Sequence, residues 1–139
     1  MPPPTSNLPR KRLNSGFINK REVNIEEFRE YCLSLEGVTE KMPFGKFARR
    51  FDSILVFYIH GHMFCFVDID DFTSVTVKST PEEIEGIRMN HSSVDNPLNM
   101  SAKHWIKLYL GGDIPDHEIR ALVKRAYDIV KAKYRGEKP

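Results

Sequence analysis

The sequence predicts an α+β fold, in which an antiparallel sheet of about five strands carries helices mainly on one face. Two apolar stretches at 53–61 and 62–70, separated at a glycine, are typical of a hairpin in the middle of a covered sheet. The stretch SVTVK at 74–78 alternates polar and apolar residues, as a half-buried strand does. Apolar residues recur at helical spacing near both ends of the domain. The predicted order is one helix, four strands, a helix, a strand and a final helix.

The first helix is predicted to begin at Asn24, whose side chain can cap it, with Glu27 three residues later. Gly37 is expected to end it. Its apolar face comprises Ile25, Phe28, Cys32 and Leu35. The next stretch, KFARRFD at 46–52, is predicted to form the first strand, ahead of the hairpin.

The second helix has a strong start signal in Thr80-Pro81-Glu82-Glu83, and we expect it to run to about His91. After a loop at 92–101, KHWIKLYL at 103–110 is predicted as a strand that ends at a double glycine. Pro115 then opens the last helix. The apolar face of that helix comprises Ile119, Leu122, Val123, Ala126, Val130 and Tyr134.

Length and composition fit one folded domain at 23–139, preceded by a disordered basic leader at 1–22. No run of about 18 apolar residues exists and no apolar signal segment opens the chain, so we expect no membrane association. Cys32 and Cys65 lack a C-x-x-C spacing and fit buried thiols of a reducing compartment. The predicted location is cytoplasmic.

Positive charge is concentrated at the two ends of the chain. Residues 1–22 hold five basic side chains and one acidic one, whereas the remaining 117 residues hold 16 basic and 18 acidic ones. Within that acidic body, 119–139 hold seven basic and two acidic side chains. A nucleic-acid hypothesis therefore cannot rest on the overall pI of about 8.5 and needs a local basic surface.

Sequence signals for metal, cofactor or catalytic sites are weak. His60 and His62 flank a glycine that favours a turn, and no third metal ligand is obvious. The carboxylates at 68–71 lack the glycine and glutamate of a calcium loop. No glycine-rich phosphate loop, G-x-S-x-G or H-E-x-x-H motif is present. We expect no metal and no cofactor, and the sequence gives no reason to predict an enzyme, although missing motifs do not exclude one.

A basic stripe runs along the last helix. At 100° per residue its members fall within roughly 60° of one another and extend over about 22 Å of helix axis. They are Arg120, Lys124, Lys131 and Arg135. Such a stripe can contact successive phosphates of a nucleic acid. The alternative is an ordinary solvated helix face, with cations favoured near the helix C-terminus.

The cluster Lys103-His104-Trp105 is the second candidate site. The histidine can act as a general acid or base, and the tryptophan ring can stack a base or flat ligand while Lys103 contacts a phosphate. The alternative is structural, with Trp105 packed against the sheet and Lys103 in water.

Four stretches together resemble the MmcQ/YjbR-like family. They are PFG at 43–45, GHMFCFVDID at 61–70, VKSTPE at 77–82 and KHWIKLYLGGDIPDHEIRALVKRAYDIV at 103–130. The resemblance covers about residues 24–135 and is most specific in the Lys-His-Trp strand and the helix with Tyr127 that follows it. Many members carry serine just before that tyrosine, where this chain has Ala126.

The resemblance implies a frataxin-like or secretion-chaperone-like α+β fold in a small cytoplasmic bacterial protein. The family has been described as a double-wing DNA-binding module, and no established reaction comes with it. The residues that match the family pattern, and that are therefore expected on a shared surface, are Lys78, Lys103, His104, Trp105 and Tyr127.

Three hypotheses follow for the function. The first is a small binding module that contacts DNA weakly, without sequence preference and in a salt-sensitive way. The second is a pocket protein or enzyme for a small anionic ligand, in which Lys78, Lys103, His104 and Tyr127 would converge on one cleft. The third is a protein-interaction adaptor with an exposed apolar patch. The sequence predicts no oligomeric state.

Overall fold

A computed structural model describes residues 24–42, 53–97 and 100–135. The predicted leader and the predicted strand at 46–52 lie outside these ranges. The helices are α1 (Ile25–Ser34), α2 (Pro81–Asn90) and α3 (Asp116–Lys133). The strands are β1 (Thr39–Lys41), β2 (Ile54–Ile59), β3 (His62–Asp68), β4 (Ser74–Lys78), β5 (Val94–Asp95) and β6 (Trp105–Tyr109).

The strands form one antiparallel sheet in the order β1-β2-β3-β4-β6-β5. The registers align Val56 with Phe66, Phe66 with Thr76 and Thr76 with Lys107, so these four side chains share one face. The predicted α+β fold is confirmed. The edge strands β1 and β5 have only three and two residues, which is too short for hydrophobic periodicity to predict them.

All three helices contribute to a core on the opposite face of the sheet. Phe28 of α1 packs edge-on against Phe57 of β2, with ring centroids 5.9 Å apart. Tyr127 of α3 packs in the same way on Phe64 of β3, at 5.7 Å. Ile106 and Leu108, two positions apart on one face of β6, are fully buried in this core.

Local capping signals placed the helix starts correctly. The amide of Glu27 donates to Asn24 Oδ1 at 2.8 Å, and the amide of Glu83 donates to Thr80 Oγ1 at 3.2 Å. Helix α1 ends at Ser34, earlier than predicted, and Gly37 lies beyond it with a φ of 82°. The glycine therefore serves the turn into β1 rather than the end of the helix itself.

Helix α3 buries one residue that its predicted apolar face left out. The side chain of Tyr127 is 4% exposed, and its hydroxyl donates to the Glu36 carbonyl at 2.6 Å. Leu122 and Tyr134, which the pattern placed on that face, are only partly buried. A phenol ring with a partner for its hydroxyl packs in a core as well as an aliphatic side chain does.

The tight turn between β2 and β3 consists of His60 and Gly61, with φ values of 55° and 80°. Two consecutive left-handed residues are typical of a type I′ hairpin turn. His62 begins β3 immediately after it. The predicted turn is confirmed.

The joint between β6 and α3 is held by the carboxylate of Asp113. The amides of Ser92 and Ser93 donate to it at 2.8 and 3.1 Å, and the hydroxyls of both serines donate as well. These hydrogen bonds lower the pKa of Asp113 below its ordinary value of 3.8, with the Ser93 hydroxyl as the largest cause. The carboxylate therefore ties the segment after α2 to the start of α3.

We expect Asp113→Asn to be less stable than the unchanged protein at pH 7, with the difference shrinking as the pH falls. A depressed folded-state pKa contributes stability above the unfolded value of 3.8, and this contribution is lost as the pH drops below it. Urea unfolding at pH 5, 4, 3 and 2 measures the effect. Asp71→Asn, in the exposed β3–β4 turn, is the control. A difference that stays constant from pH 5 to 2 contradicts this role for Asp113.

In the ranges that the structure describes, no helix combines the length and the apolar character that a membrane crossing needs.

Candidate nucleic-acid interface

Antiparallel pairing brings four strand termini to one end of the sheet. Strand β2 ends there at Ile59, β3 begins at His62, β4 ends at Lys78 and β6 begins at Trp105. The amide of Ser79 donates to the His104 carbonyl at 2.8 Å, which fixes the segment before β6 beside the end of β4. The predicted residues Lys78, His104 and Trp105 are therefore neighbours.

The C-terminus of α3 reaches the same end of the sheet. The ring of Tyr134, just after the last helical residue, stacks on His62 with a centroid distance of 3.4 Å and an angle of 7° between the ring planes. The ammonium group of Lys133 lies 5.4 Å from the centroid of that tyrosine ring. The basic last turn of α3 therefore lies beside the four strand termini.

We call this region the basic end and define it by five cations. They are Lys78, Lys103, Lys131, Lys133 and Arg135. Among the residues whose structure is known, no ion pair joins any of the five to a carboxylate. Glu83, in the first turn of the nearby α2, is already paired with Arg125 at 2.7 Å. The basic end therefore carries uncompensated positive charge.

Lys78 and Lys133 lie close enough to affect each other. Burial lowers the pKa of Lys78 below its ordinary value of 10.5, and the positive charge of Lys133 lowers it further. An anion bound near both ammonium groups would relieve this repulsion.

Trp105 is 5% exposed. Its ring lies 5.9 Å from Phe66 on the sheet face away from the helices, and the Lys78 ammonium lies 5.2 Å from its centroid. This burial favours the packing role over base stacking, because a buried ring has no free face. The Trp105 ring therefore packs against the sheet and makes a cation–π contact with the Lys78 ammonium group.

Lys103 and His104 are both exposed, in the turn that precedes β6. The amide of Lys103 donates to the hydroxyl of Ser101 at 3.3 Å, which stabilises the turn. Both side chains therefore project from the rim of the basic end, where a ligand in solution can reach them.

The structure divides the predicted stripe on α3. Lys131 and Arg135 belong to the basic end, but Lys124 lies about 16 Å from Arg135 along the helix axis. Lys124 donates to Asp128 at 3.0 Å, and this hydrogen bond raises the pKa of the lysine. Arg120 is a further turn away, near the start of α3. The four residues do not act as one row of free cations, because Asp128 compensates the middle of the stripe.

Tyr127 does not share a surface with Lys78 and His104. It is buried on the helix side of the sheet, where its hydroxyl is bonded to Glu36. Lys124 and Lys131 flank its ring at 5.6 and 5.3 Å. The four-residue cleft considered from the sequence is thus not assembled, since one of its members is part of the core.

Four carboxylates lie at the opposite end of the sheet. Asp70 and Asp71 lie in the turn after β3, and Asp113 and Asp116 lie at the β6–α3 joint. Because Ser74 pairs with Tyr109, these two segments are adjacent. Part of the negative charge of the body therefore lies at the end of the sheet away from the five cations, while Glu82 and Glu83 in the first turn of α2 follow Lys78 closely along the chain.

Sequence reasoning missed Lys133 and the contact of His62 with Tyr134. Lys133 lies outside the helical stripe that was singled out, and its neighbour Lys78 is 55 positions away along the chain. A signal was present in the last turn of the helix, where cations accumulate, but a helix pattern does not show which strand that turn meets.

No group of three or more His, Cys, Asp or Glu side chains suited to a metal ion occurs in the described part of the chain. Cys32 and Cys65 are both buried and unbridged. The basic end offers lysine and arginine side chains for ionic contacts, beside the stacked rings of His62 and Tyr134.

The YjbR family model matches residues 33–129 of this chain. The chain belongs to the YjbR family. It is 26% identical over 106 residues to the uncharacterized protein YjbR of Escherichia coli strain K12, and the match covers 76% of this chain and 85% of that protein. The protein of the same name from E. coli O157:H7 matches equally well.

Solved structures of similar shape include that of Deinococcus radiodurans protein DR2400, which contains a DUF419 domain. Its TM-score is 0.73 at 25% identity, covering 82% of this chain and 83% of that one. A protein from Pseudomonas syringae has a TM-score of 0.62 at 18% identity, covering 78% and 99% of the two chains. The fold is therefore shared with experimentally determined structures.

Proposed function

We propose that this YjbR-family protein is a small nucleic-acid-binding module that contacts the phosphate backbone of DNA with its basic end. The observation that carries the proposal is the proximity of Lys78 and Lys133, two cations without a carboxylate partner among the described residues. Backbone phosphates are spaced a few ångströms apart and attract such unpaired cations. Binding through the backbone alone is weak, indifferent to sequence and salt-sensitive.

The distribution of charge supports one mode of approach. The carboxylates at the far end of the sheet repel a polyanion, whereas the basic end attracts it, so the molecule is oriented during encounter. Lys103, in the turn before β6, and Arg135, after the end of α3, are exposed and add to the cationic surface. The basic leader at 1–22 adds charge that any binding experiment must separate from that of the domain.

The test is fluorescence anisotropy of labelled duplex and single-stranded DNA with the full chain, at 50 and 200 mM salt. We expect Lys78→Glu/Lys133→Glu to weaken binding at least about tenfold and to reduce the salt slope by about two. The matched control, Arg120→Glu/Lys124→Glu, changes the net charge equally but lies outside the basic end. It is expected to change affinity by no more than about threefold.

A second control replaces leader cations, as Arg10→Ser/Lys11→Ser/Arg12→Ser. The proposal fails if the leader variant abolishes binding while the Lys78/Lys133 variant does not. It also fails if both double reversals weaken binding equally, because the effect would then be one of net charge only.

A small anionic ligand is the second candidate, and the partial burial of Lys78 favours it. A site of this kind binds a mononucleotide or inorganic phosphate as tightly as it binds one unit of a longer strand. Competition by phosphate against a labelled 20-nucleotide strand separates the two, since backbone binding strengthens with strand length and site filling does not.

We also propose that the protein acts in the cytoplasm. The two free thiols, both buried in the core, fit a reducing compartment.

A further inference from the structure

The sheet face away from the helices carries lysines paired with aromatic rings. Side chains alternate between the two faces of a strand, and Phe57 and Ile106 belong to the helix side, so their neighbours along β2 and β6 lie on the other face. Three ammonium groups there lie 5.2 to 5.5 Å from ring centroids. The pairs are Lys41 with Tyr58, Lys78 with Trp105 and Lys107 with Tyr109. We call this surface, which also includes Phe66, the outer sheet face.

Three rings of the outer sheet face are partly exposed. They belong to Tyr58, Phe66 and Tyr109, on β2, β3 and β6. The strand registers place them along a diagonal that crosses the sheet over roughly 20 Å, since neighbouring strands are about 4.8 Å apart and two residues extend about 6.8 Å. The buried side chains of this face are Val56, Thr76 and Trp105. A ligand from solution therefore meets the three rings and the lysines beside them.

The carboxylates on the outer sheet face already accept hydrogen bonds from within the protein. The hydroxyl of Tyr109 donates to Asp95 at 3.0 Å, which also fixes the position of that ring. Asp68 accepts from the Ser53 hydroxyl at 2.6 Å and from the Asp70 amide at 3.0 Å. In the described strands this face therefore has three lysines and two carboxylates, so its net charge is positive.

Rings beside lysines fit an unpaired nucleic-acid strand better than a duplex. An unpaired strand presents free base faces, which stack on aromatic rings whatever the base, and its phosphates attract the ammonium groups. The bases of a duplex are stacked on one another and offer only their edges in the grooves. The outer sheet face is also continuous with the basic end, because Lys78 belongs to both.

We propose that the outer sheet face binds single-stranded DNA, whose bases stack on the three accessible rings and whose phosphates contact the three lysines. The inference rests on the proposed function, and it adds the form of DNA that the protein prefers. A base that stacks on Tyr58 or Tyr109 displaces the lysine from that ring. The ammonium group gains a phosphate partner in exchange, which is the stronger contact.

The test compares a labelled strand of about 20 thymidine nucleotides with an abasic strand of equal length, which keeps the phosphates but has no bases. Fluorescence anisotropy measures the affinity of the full chain for each strand at 200 mM salt. We expect the thymidine strand to bind at least about fivefold more tightly, which is the lower end of what one stack of a base on a ring contributes. Equal affinities overturn the inference.

Two substitutions test the rings themselves. Tyr58→Leu and Phe66→Leu each remove a ring but keep an apolar side chain on the sheet. Each is expected to weaken binding of the thymidine strand at least about threefold and to leave binding of the abasic strand unchanged. The matched control is Tyr31→Leu, which removes a partly exposed ring of α1 on the helix side and is expected to change neither affinity. Unchanged thymidine affinity in both test variants contradicts stacking on this face.

A cross-linking measurement on the unchanged protein does not depend on how well the variants fold. A strand that carries 5-bromouracil in place of thymine is irradiated in the complex, and peptide mass spectrometry locates the cross-linked residue. We expect cross-links at Tyr58, Phe66 or Tyr109. Cross-links confined to residues outside the outer sheet face overturn the inference. Tighter binding of a uridine RNA strand than of the matched deoxyuridine strand overturns the assignment to DNA.

Lys103→Glu/Lys133→Glu separates this inference from the proposed function, because both cations belong to the basic end and neither lies on the outer sheet face. If the thymidine and abasic strands bind equally and this variant weakens both, the proposed function stands and the stacking inference fails. If the thymidine strand is preferred and cross-links to the sheet rings, but this variant has no effect, the outer sheet face stands and the basic end fails. Absence of binding to either strand overturns both.

Discussion

Trp105→Ala is expected to lower the free energy of unfolding by about 3 to 4 kcal/mol and the melting temperature by roughly 10 °C. The side chain is 5% exposed and packs against Phe66, so its removal leaves a large cavity on the sheet face away from the helices. Urea unfolding followed by far-ultraviolet circular dichroism measures the change, because the variant lacks the chain's only tryptophan.

The neighbouring residue provides the matched control. His104 is exposed, and its backbone amide and carbonyl make hydrogen bonds that alanine keeps, so His104→Ala is expected to change stability by less than about 0.5 kcal/mol. A folded Trp105→Ala variant with an unchanged melting temperature would refute the packing role. Trp105 would then be a surface or ligand-binding residue, as the stacking hypothesis requires.

Gly112→Ala is expected to lower the free energy of unfolding by about 2 kcal/mol, the middle of the range for a forced steric overlap. A Cβ atom at this position would overlap the Ser93 side chain and lie 2.6 Å from its Oγ. Ser93 would have to move, and its hydrogen bonds with Asp113 would be disturbed. Thermal unfolding by circular dichroism measures the effect.

Gly86→Ala is the control for this substitution. Nothing lies within 4 Å of a Cβ atom built at Gly86, which is inside α2. Alanine there is expected to stabilise the protein by about 0.5 to 1 kcal/mol, since it favours the helix more than glycine does. If both alanine variants shift stability in the same direction, close packing at the β6–α3 joint is not what requires Gly112.

The candidate site was predictable in its parts but not in its arrangement. Lys103 and His104 were found from the chemistry of the Lys103-His104-Trp105 cluster, and Lys78 was found from the family resemblance. Their grouping with Lys133 was not, since it depends on where the end of α3 meets the sheet. The ion pair of Lys124 with Asp128 was hidden as well, because a helical stripe does not show that a carboxylate compensates one of its members.

Features that depend on neighbours along the chain could be predicted from the amino-acid sequence. Asn24 and Thr80 cap their helices with side chains that accept hydrogen bonds from the backbone amides three residues later. The alternation of side chains along β6 assigns Ile106 and Leu108 to the core. Such signals reach only a few residues, and their energies do not depend on the rest of the fold.

Contacts between segments that are distant along the chain are visible only in the tertiary structure. In the tertiary structure, the Tyr127 hydroxyl donates a hydrogen bond to the Glu36 carbonyl, 91 positions away along the chain. Lys133 lies close enough to Lys78 to lower its pKa. The tertiary structure also places β1 and β5 at the sheet edges, although neither is long enough to show a pattern. These contacts form because burying apolar surface fixes how helices lie on the sheet, and their geometry has no signature in local sequence.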